Sequence, residues 1–519
     1  MSGAAGARAA LEQGDFDRAA RIATACLSAS ESAAEAGFVL GVIAAEQGRI
    51  GEAIRRIEAA VGQDPRSEYR AQLARLYTLV RRDGDAAVQL AATEANPPAD
   101  ALSRDTIGCV YARLGDHEAA LPHFAVAVAL APENDQFLYN QAATLSFLGR
   151  TDDAEGALEM LLARSPDHAR AHHLLAGLRK QREDRNHVVR LQGAHGRAQG
   201  SDRLLTGYAL AKELEDIGRA DEALACLLAV NTEHRATLGY DPARDAAIVE
   251  AVAASWPAFA AAPATGCPEE APILIIGMPR TGTTLVDRIL AAHPAVESVG
   301  ELQALPLAVK AAAGTRSRTV LDPETLHAAA STDLGAIGRD YLARAEHHRR
   351  APERRFVDKF PGNFHYAGIA ARALPSAAIV CLRRNPMDTV LANFRNLFAI
   401  GSRYYDYSYD LLEIAAYVAG FERLMALWRA ELPGRILELR YEDLVADQAG
   451  QTRRLLDHCR LDWSDACLDF HTQGGAVSTP SAAQVRRPIY GDSVARWRRH
   501  AAALAPVAAY FTAHGIAID

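Results

Sequence analysis

The chain has 519 residues, of which 49% are hydrophobic and 23% charged, and its formal net charge is -8. This length predicts about two to four domains with ample apolar core. The net charge gives no indication of a nucleic-acid-binding surface, and no apolar stretch approaches the roughly 20 residues of a membrane helix. The seven cysteines are far apart without a CxxC pair, which argues against a zinc site or a secreted disulfide framework. With no signal-peptide pattern at the start, we expect a cytoplasmic protein that binds no metal.

The first half of the chain repeats a pattern with a period of about 34 residues, in which an alanine follows a glycine after five positions. The glycines are Gly14, Gly48, Gly115, Gly149 and Gly218, with Arg82 and Ala87 assigned to the missing repeat. Prolines follow the predicted second helices at Pro65, Pro98, Pro132 and Pro166. Since proline stops helices, the period describes helix pairs. The pattern resembles the tetratricopeptide repeat (TPR) and implies an α-superhelix.

The TPR resemblance predicts a domain over residues 1–235. Such arrays hold extended peptides or protein partners, or act as spacers and dimerisation elements, and the fold does not decide between these roles. Residues 236–270 form a helical, Pro- and Ala-rich linker in this interpretation, because Pro257, Pro263 and Pro268 interrupt helices. The remaining domain spans residues 271–519.

This second domain begins with the sequence Pro-Ile-Leu-Ile-Ile-Gly-Met-Pro-Arg-Thr-Gly-Thr-Thr at residues 272–284. The apolar run predicts a buried strand, and helical spacing resumes from Thr283. The spacing Gly277-x4-Gly282 matches a phosphate-binding P-loop, but Thr283 stands where nucleoside triphosphatases carry lysine. The cation of the loop is Arg280 instead, so the expected ligand bears phosphate without being handled as ATP usually is.

Short apolar runs at 355–359, 378–382 and 435–439 alternate with helical patterns, which predicts a parallel sheet covered by helices on both faces. Basic residues follow three of the predicted strands: Arg280, Lys359 and Arg384. Ligands of such sheets bind at the carboxyl ends of strands, so the three cations indicate an anion site. The predicted fold is thus a TPR-like α-superhelix followed by a P-loop-like α/β domain.

The segments Gly277-Met-Pro-Arg-Thr-Gly-Thr-Thr284 and Arg384-Asn-Pro-Met-Asp388 resemble the two cofactor motifs of sulfotransferases that use 3′-phosphoadenosine 5′-phosphosulfate (PAPS). The similarity covers about residues 271–500 and is strongest to bacterial TPR-sulfotransferases and tyrosylprotein sulfotransferases. It implies that PAPS donates a sulfuryl group to a hydroxyl and that no metal is needed.

The resemblance also implies which residues bind the cofactor. The loop and the following helix would hold the 5′ end of PAPS, and Arg384 would bind the 3′-phosphate by bidentate contacts. The family usually has a serine eight residues after this arginine; Ala392 stands there, and Asn393 is a replacement contact. A C-terminal segment supplies further contacts. The full predicted set is Pro279, Arg280, Thr281, Gly282, Thr283, Thr284, Arg384, Asn393, Ser478, Ser481, Arg486 and Arg487.

Attack of a hydroxyl on sulfur needs a general base. Glu301 matches the glutamate that tyrosylprotein sulfotransferases use, whereas cytosolic sulfotransferases place a histidine two residues after a strand-ending lysine. Here Lys359 is followed by Phe360 and Pro361. We therefore predict Glu301 as the base, with Lys359 and Arg280 stabilising the leaving group. His293 is the reserve base.

The favoured acceptor is a protein tyrosine, because a TPR groove suits an extended peptide and Glu301 resembles the tyrosylprotein class. A sugar, lipid or small-molecule hydroxyl is the alternative acceptor. The alternative to an enzyme of this kind is a TPR interaction scaffold whose P-loop-like half binds nucleoside triphosphate or is inactive. A homodimer is left open.

Overall fold

The computed structural model describes residues 3–28, 32–263, 265–268, 271–472 and 485–518. The chain forms two compact units, Met1–Leu161 and Leu162–Asp519. This division falls earlier in the chain than the linker predicted at residues 236–270. The three-part division into 1–235, 236–270 and 271–519 therefore stays a prediction, and each compact unit is described by itself.

The first unit consists of helices arranged as consecutive pairs. The helices are α1 (Gly3–Glu12), α2 (Phe16–Cys26), α3 (Ala33–Glu46), α4 (Ile50–Gln63), α5 (Ser67–Leu79), α6 (Asp83–Glu94), α7 (Ala101–Arg113), α8 (His117–Leu130), α9 (Asp135–Phe147) and α10 (Thr151–Arg164). The repeat glycines of this unit lie between the two helices of a pair and have φ between 74° and 84°. Glycine adopts this left-handed conformation without strain, which explains its recurrence.

The register predicted for the third repeat is wrong by one residue. Arg81, and not Arg82, takes the left-handed position with a φ of 57°. Ala86 is fully buried, whereas the predicted Ala87 is half-buried. The register of the other repeats follows from a glycine at the left-handed position, and this repeat has arginine there instead. The alanines of the other repeats, such as Ala53 and Ala120, are fully buried as the pattern requires.

The second unit begins with five helices: α11 (Ala169–Gly177), α12 (Val188–Arg197), α13 (Gly200–Asp216), α14 (Ala220–Arg235) and α15 (Pro242–Ala261). The side chain of Asp241 caps α15 by accepting from the backbone N–H of Ala243 at 2.9 Å. Pro257 lies inside α15 and does not end it. The stretch predicted as a linker is therefore largely a 20-residue helix.

Five parallel strands follow: β1 (Ile273–Gly277), β2 (Val296–Ser298), β3 (Arg355–Asp358), β4 (Ala378–Arg383) and β5 (Ile436–Arg440). Their order in the sheet is β2-β3-β1-β4-β5. The helices of this region are α16 (Thr283–Ala291), α17 (Ala304–Ala313), α18 (Pro323–Ala329), α19 (Leu334–Glu346), α20 (Ala367–Ala373), α21 (Pro386–Phe394), α22 (Leu411–Glu431), α23 (Tyr441–Ala446), α24 (Gln448–Cys459) and α25 (Ala505–Ala513). Short 3₁₀ helices span Pro361–Tyr366, Arg403–Tyr409, Asp465–Cys467, Phe470–Thr472 and Arg496–His500. Of all the helices described, none is both long and apolar enough to cross a membrane.

The sheet is buried on both faces. Along β1, Leu274 and Ile276 pack into one apolar core, while Ile273 and Ile275 pack into a second core with α16 and α24. The sheet extends from β1 on both sides: β3 and β2 lie on one side of it, and β4 and β5 lie on the other. Such a switch in strand order opens a crevice at the carboxyl ends of the strands.

Helices α11–α15 share the first of these cores with the sheet. Trp256 of α15 packs edge-on against Trp428 of α22, with ring centroids 5.2 Å apart. Glu215 of α13 is 9% exposed and pairs with both Arg395 and Arg496. The helices that follow α10 are thus built into the α/β half of the molecule.

Candidate active site

The loop between β1 and α16 has an unusual backbone. Gly277, Arg280 and Gly282 have positive φ values of 143°, 66° and 108°. A Cβ atom at Gly277 would lie 2.6 Å from the carbonyl oxygen of Leu382, and one at Gly282 would lie 2.8 Å from the ring of Tyr441. Glycine is therefore required at both positions by conformation and by space.

The same loop leaves backbone donors open. Within the described part of the chain, the N–H groups of Thr281, Gly282 and Thr283 have no hydrogen-bond acceptor. The Thr281 hydroxyl donates to the carbonyl oxygen of Met278 at 2.7 Å and closes the loop from within. Thr283 and Thr284 begin α16 and are buried. Because open N–H groups at a helix N-terminus attract anions, this loop fits a phosphate or sulfate group.

Two arginines lie beside the loop. Arg384 directly follows β4, and its Nη1 donates to the carbonyl oxygen of Arg280 at 3.1 Å. Burial and the like charge of Arg384 lower the pKa of Arg280 to about 10. Arg280 therefore stays charged at neutral pH and is repelled by the neighbouring Arg384 guanidinium. An anion bound next to them would relieve this repulsion.

The environment of Arg384 contains an unused donor. Its guanidinium lies 4.9 Å from the centroid of the Tyr441 ring, and its Nη2 donates to the carbonyl oxygen of Ser493. The Nε atom is buried and has no hydrogen-bond partner among the described residues. Since a buried N–H without an acceptor costs free energy, Nε is suited to an oxygen of a bound phosphate. Arg384 thus fits the role predicted for it.

Asn393 has a different environment from the one predicted. Its side chain is fully buried, and Nδ2 donates to the carbonyl oxygens of Pro279 and Thr389, both at 2.9 Å. Its Oδ1 accepts from the hydroxyl of Tyr407 at 3.2 Å. Both amide hydrogens are therefore used within the protein. Asn393 supports the backbone of the phosphate loop at Pro279, and these contacts argue against the direct ligand contact predicted in place of a serine at Ala392.

A C-terminal segment lies against α21. The carboxylate of Asp388 accepts from the backbone N–H groups of Ala495 and Trp497, at 2.7 and 2.9 Å. Together with the bond from Arg384 to Ser493, these contacts hold residues 493–497 beside the predicted 3′-phosphate site. These residues lie C-terminal to the predicted contacts Ser478, Ser481, Arg486 and Arg487, whose role stays a prediction.

The predicted contacts in this segment have different surroundings. Burial and the charge of Arg288 lower the pKa of Arg486, which places Arg486 near the helix that follows the loop. Arg487 is exposed and covers the ring of Tyr490 at 4.4 Å. Ser478 and Ser481 lie outside the described residues.

The two predicted catalytic residues are in direct contact. Glu301 lies between β2 and α17, and Lys359 directly follows β3, where its backbone N–H donates to the carbonyl oxygen of Gly300 at 2.8 Å. The Nζ atom of Lys359 donates to Oε1 of Glu301. The Glu301 side chain is 40% exposed and that of Lys359 only 2%. A carboxylate open to solvent thus lies over a buried ammonium at the edge of the sheet where the anion loop begins.

Comparison with protein-family models matches residues 272–465 to the Sulfotransferase family. The second half of the chain carries a sulfotransferase domain. Residues 5–68 and 111–178 match Tetratricopeptide repeat models, so the predicted TPR region is confirmed as well.

Two relatives show how far this similarity extends. An uncharacterized protein of Aquifex aeolicus is 31% identical over 316 residues, which cover 59% of this chain and 41% of that protein. Protein-tyrosine sulfotransferase 1 of Danio rerio is 25% identical over 239 residues, covering 43% of this chain and 65% of the relative. The chain therefore spans less than two thirds of the length of either protein.

Among solved structures, the sulfotransferase domain of the Synechococcus PCC 7002 olefin synthase matches 45% of this chain and 90% of its own length. Its sequence identity is 22% and its TM-score is 0.33.

Acidic groups surround the buried lysine of the sulfotransferase domain. Asp358, the residue before Lys359, is fully buried and accepts from the backbone N–H of Leu302 at 3.2 Å and from the hydroxyl of Tyr341 at 3.4 Å. Burial raises the pKa of Asp358 to about 7. Burial also raises the pKa of Asp287, whose Oδ1 has no hydrogen-bond partner among the described residues. Through Leu302, Asp358 fixes the backbone next to Glu301.

Asp358→Asn is expected to change how stability depends on pH. A folded-state pKa near 7, above the unfolded value of about 3.9, means that the folded state holds a proton the unfolded state has lost. The contribution of this group to stability therefore falls as pH rises from about 4 to 7. Asparagine can still accept from Leu302 through Oδ1 and can donate from Nδ2 to the Tyr341 hydroxyl, which then acts as the acceptor. Because it does not titrate, the melting temperature should fall less between pH 5 and pH 8 than in the parent. Equal slopes in Asp358→Asn and in the control Asp457→Asn, at an exposed position of α24, would contradict this.

His293 and Arg383 make contacts within the protein, and Asp358 is a buried residue near the site that the sequence did not reveal. His293 accepts from the backbone N–H of Ala295 at 3.1 Å and contacts the carbonyl oxygen of Asp462 at 3.0 Å, so both ring nitrogens are engaged. Arg383, the last residue of β4, pairs with Glu422 and Glu438. Asp358 was not singled out from the sequence, although a carboxylate ending an apolar strand is a signal of a specific buried contact.

Proposed function

We propose that the protein transfers a sulfuryl group from PAPS to a hydroxyl, with a protein tyrosine as the favoured acceptor. The observation that carries this proposal is the contact between Glu301 and Lys359 at the edge of the sheet that also bears the open anion loop. The similarity to a protein named protein-tyrosine sulfotransferase supports the choice of acceptor.

The residues present fit a donor with an anionic group at each end. The open N–H groups of the loop at Thr281, Gly282 and Thr283 would hold the 5′ end. The unpartnered Nε of Arg384 would hold the 3′-phosphate. Arg280, within the loop, would share with Lys359 the stabilisation of the leaving group. When bound, PAPS would supply the sulfuryl group and a phosphate leaving group.

Glu301 and Lys359 would have separate roles in the transfer step. The carboxylate of Glu301 would accept the proton of the attacking hydroxyl. The ammonium of Lys359 is a compact charge at the end of β3, placed to stabilise negative charge that develops on the leaving oxygen. Because Glu301 is open to solvent while Lys359 is buried, the acceptor would approach from the Glu301 side.

An exposed base is compatible with a large acceptor such as a peptide. TPR arrays form extended concave surfaces that can bind peptide chains. This supports a protein acceptor over a small-molecule acceptor. We also propose that the protein is cytoplasmic, and that it can form a homodimer.

The direct test incubates the full chain with radiolabelled PAPS and a panel of acceptors. The panel contains tyrosine peptides, the same peptides with phenylalanine in place of tyrosine, and small phenols, sugars and alcohols. Label on the tyrosine peptides alone supports the proposal, whereas label only on small molecules replaces the acceptor. No transfer, together with a larger thermal shift from ATP and Mg²⁺ than from adenosine 3′,5′-bisphosphate, would favour a nucleoside-triphosphate-binding scaffold.

A further inference from the structure

The second unit contains a cavity of about 270 Å³ away from the residues of the candidate active site. It lies between α15, α22, α25 and the 3₁₀ helix Pro361–Tyr366. Much of its wall is aromatic, formed by Tyr240, Phe364, Tyr417, Phe421 and Tyr510. A cavity of this size is smaller than the usual site of a drug-sized ligand, so it suits a small molecule with an apolar body.

His365 lines this cavity and is only 5% exposed. Its Nδ1 lies 3.1 Å from the carbonyl oxygen of Gly362, and its ring stacks on Phe364 with centroids 3.9 Å apart. Burial lowers the pKa of His365 to about 4, so the ring is neutral at physiological pH. Since Nδ1 donates its hydrogen to a carbonyl, Nε2 carries a lone pair. Nε2 has no hydrogen-bond partner among the described residues.

The carboxylates of the cavity wall differ in their partners. Glu413 is held by Arg235 through two contacts of 2.7 Å. Asp245 accepts from the hydroxyl of Tyr240 at 2.7 Å, and no basic group lies within ion-pair distance of it in the described residues. Arg423, which also lines the wall, pairs with Glu250. His365 Nε2 and the Asp245 carboxylate are therefore hydrogen-bond acceptors open to a ligand, beside the hydroxyls of Tyr417 and Tyr510, which can donate or accept.

A ligand that engages His365 Nε2 and Asp245 must supply donors, and a positive charge is favoured by the Asp245 carboxylate, which has no described cation within ion-pair distance, and by the aromatic faces. We propose that this cavity binds a small primary ammonium compound carrying an aromatic or alkyl group. Its ammonium donates to Asp245 and His365, and its apolar part packs against Tyr417 and Phe364. The inference is independent of sulfuryl transfer, because Glu301, Lys359, Arg280 and Arg384 do not line the cavity.

The test measures binding of 2-phenylethylamine to the full chain by isothermal titration calorimetry. This probe has no hydroxyl and so cannot act as an oxygen acceptor in the proposed reaction. Phenylacetate and ethylbenzene keep the ring but carry a negative charge or none. We expect saturable binding of the amine, at least tenfold weaker binding of ethylbenzene, and no binding of phenylacetate.

Two variants assign the binding to this cavity. Asp245→Asn and His365→Leu should each weaken amine binding by about tenfold or more, while Glu233→Gln, which removes an exposed carboxylate elsewhere in the same unit, should leave it unchanged. Melting temperatures identify any variant that fails to fold. If His365→Leu does not fold, Asp245→Asn alone tests the proposal. The proposal is overturned by absent binding at millimolar amine, by equal binding of amine and ethylbenzene, or by unchanged affinity in Asp245→Asn.

Discussion

Glu301→Gln is expected to lower the rate of sulfuryl transfer by about 100- to 10,000-fold, the range by which a positioned general base accelerates reactions. Glutamine can still accept the hydrogen bond that Lys359 now donates to Glu301, so the loop should keep its position. It cannot take a proton from the attacking hydroxyl. The loss should therefore fall on kcat, with donor affinity nearly unchanged.

This result is checked by steady-state transfer assays and by titration with adenosine 3′,5′-bisphosphate. Glu324→Gln, at an exposed glutamate of α18, is the matched control and should retain full activity. If Glu301→Gln retains a third or more of the parent rate while the nucleotide still binds, Glu301 is not the base. If nucleotide affinity falls as much as kcat, the residue supports the donor site instead.

Gly282→Ala should abolish detectable binding of the donor nucleotide. The added Cβ would lie 2.8 Å from the Tyr441 ring, on a backbone whose φ of 108° L-amino acids rarely adopt. Relief requires Tyr441 to move, and Tyr441 packs under Arg384. The substitution therefore disturbs both the open N–H groups of the loop and the predicted 3′-phosphate cation.

Gly314→Ala is the control for backbone strain alone. Gly314 ends α17 with a φ of 63°, and a Cβ there would meet no atom within 4 Å. Both variants should lose about 1 kcal/mol or more of stability from the left-handed conformation. Only Gly282→Ala should lose nucleotide binding in calorimetry. Equal nucleotide affinity in the two variants would mean that the loop does not hold the donor.

The central strands were predictable from the sequence because each is a short apolar run followed by a turn and a helix. The apolar runs predicted at 273–276, 355–359 and 378–382 became β1, β3 and β4, and the run at 435–439 became β5, with ends that differ by one residue. The edge strand β2 was missed, since it spans only Val296–Ser298 and contains one buried apolar residue. Three residues with one apolar side chain give no periodicity to detect.

The contact between Glu301 and Lys359 was expected only as a shared site, from the resemblance to known sulfotransferases. The supporting contacts could not be predicted, because their partners are remote in sequence. Asn393 bonds to the carbonyl oxygen of Pro279, and Asp358 bonds to Leu302. Local pattern carries no information on such pairings, which depend on how the helices pack over the sheet.

The apolar core that α11–α15 share with the sheet limits how the sulfotransferase domain could have been exchanged in evolution. A gene fragment that starts at residue 271 would encode a domain in which parts of α20 and α22, normally covered by Trp256 and Val249 of α15, face water. Exposed apolar patches of that kind promote aggregation. Recombination that exchanges the repeat array and keeps this core intact would break the gene ahead of α11, so that the last helices of the array stay with the α/β domain.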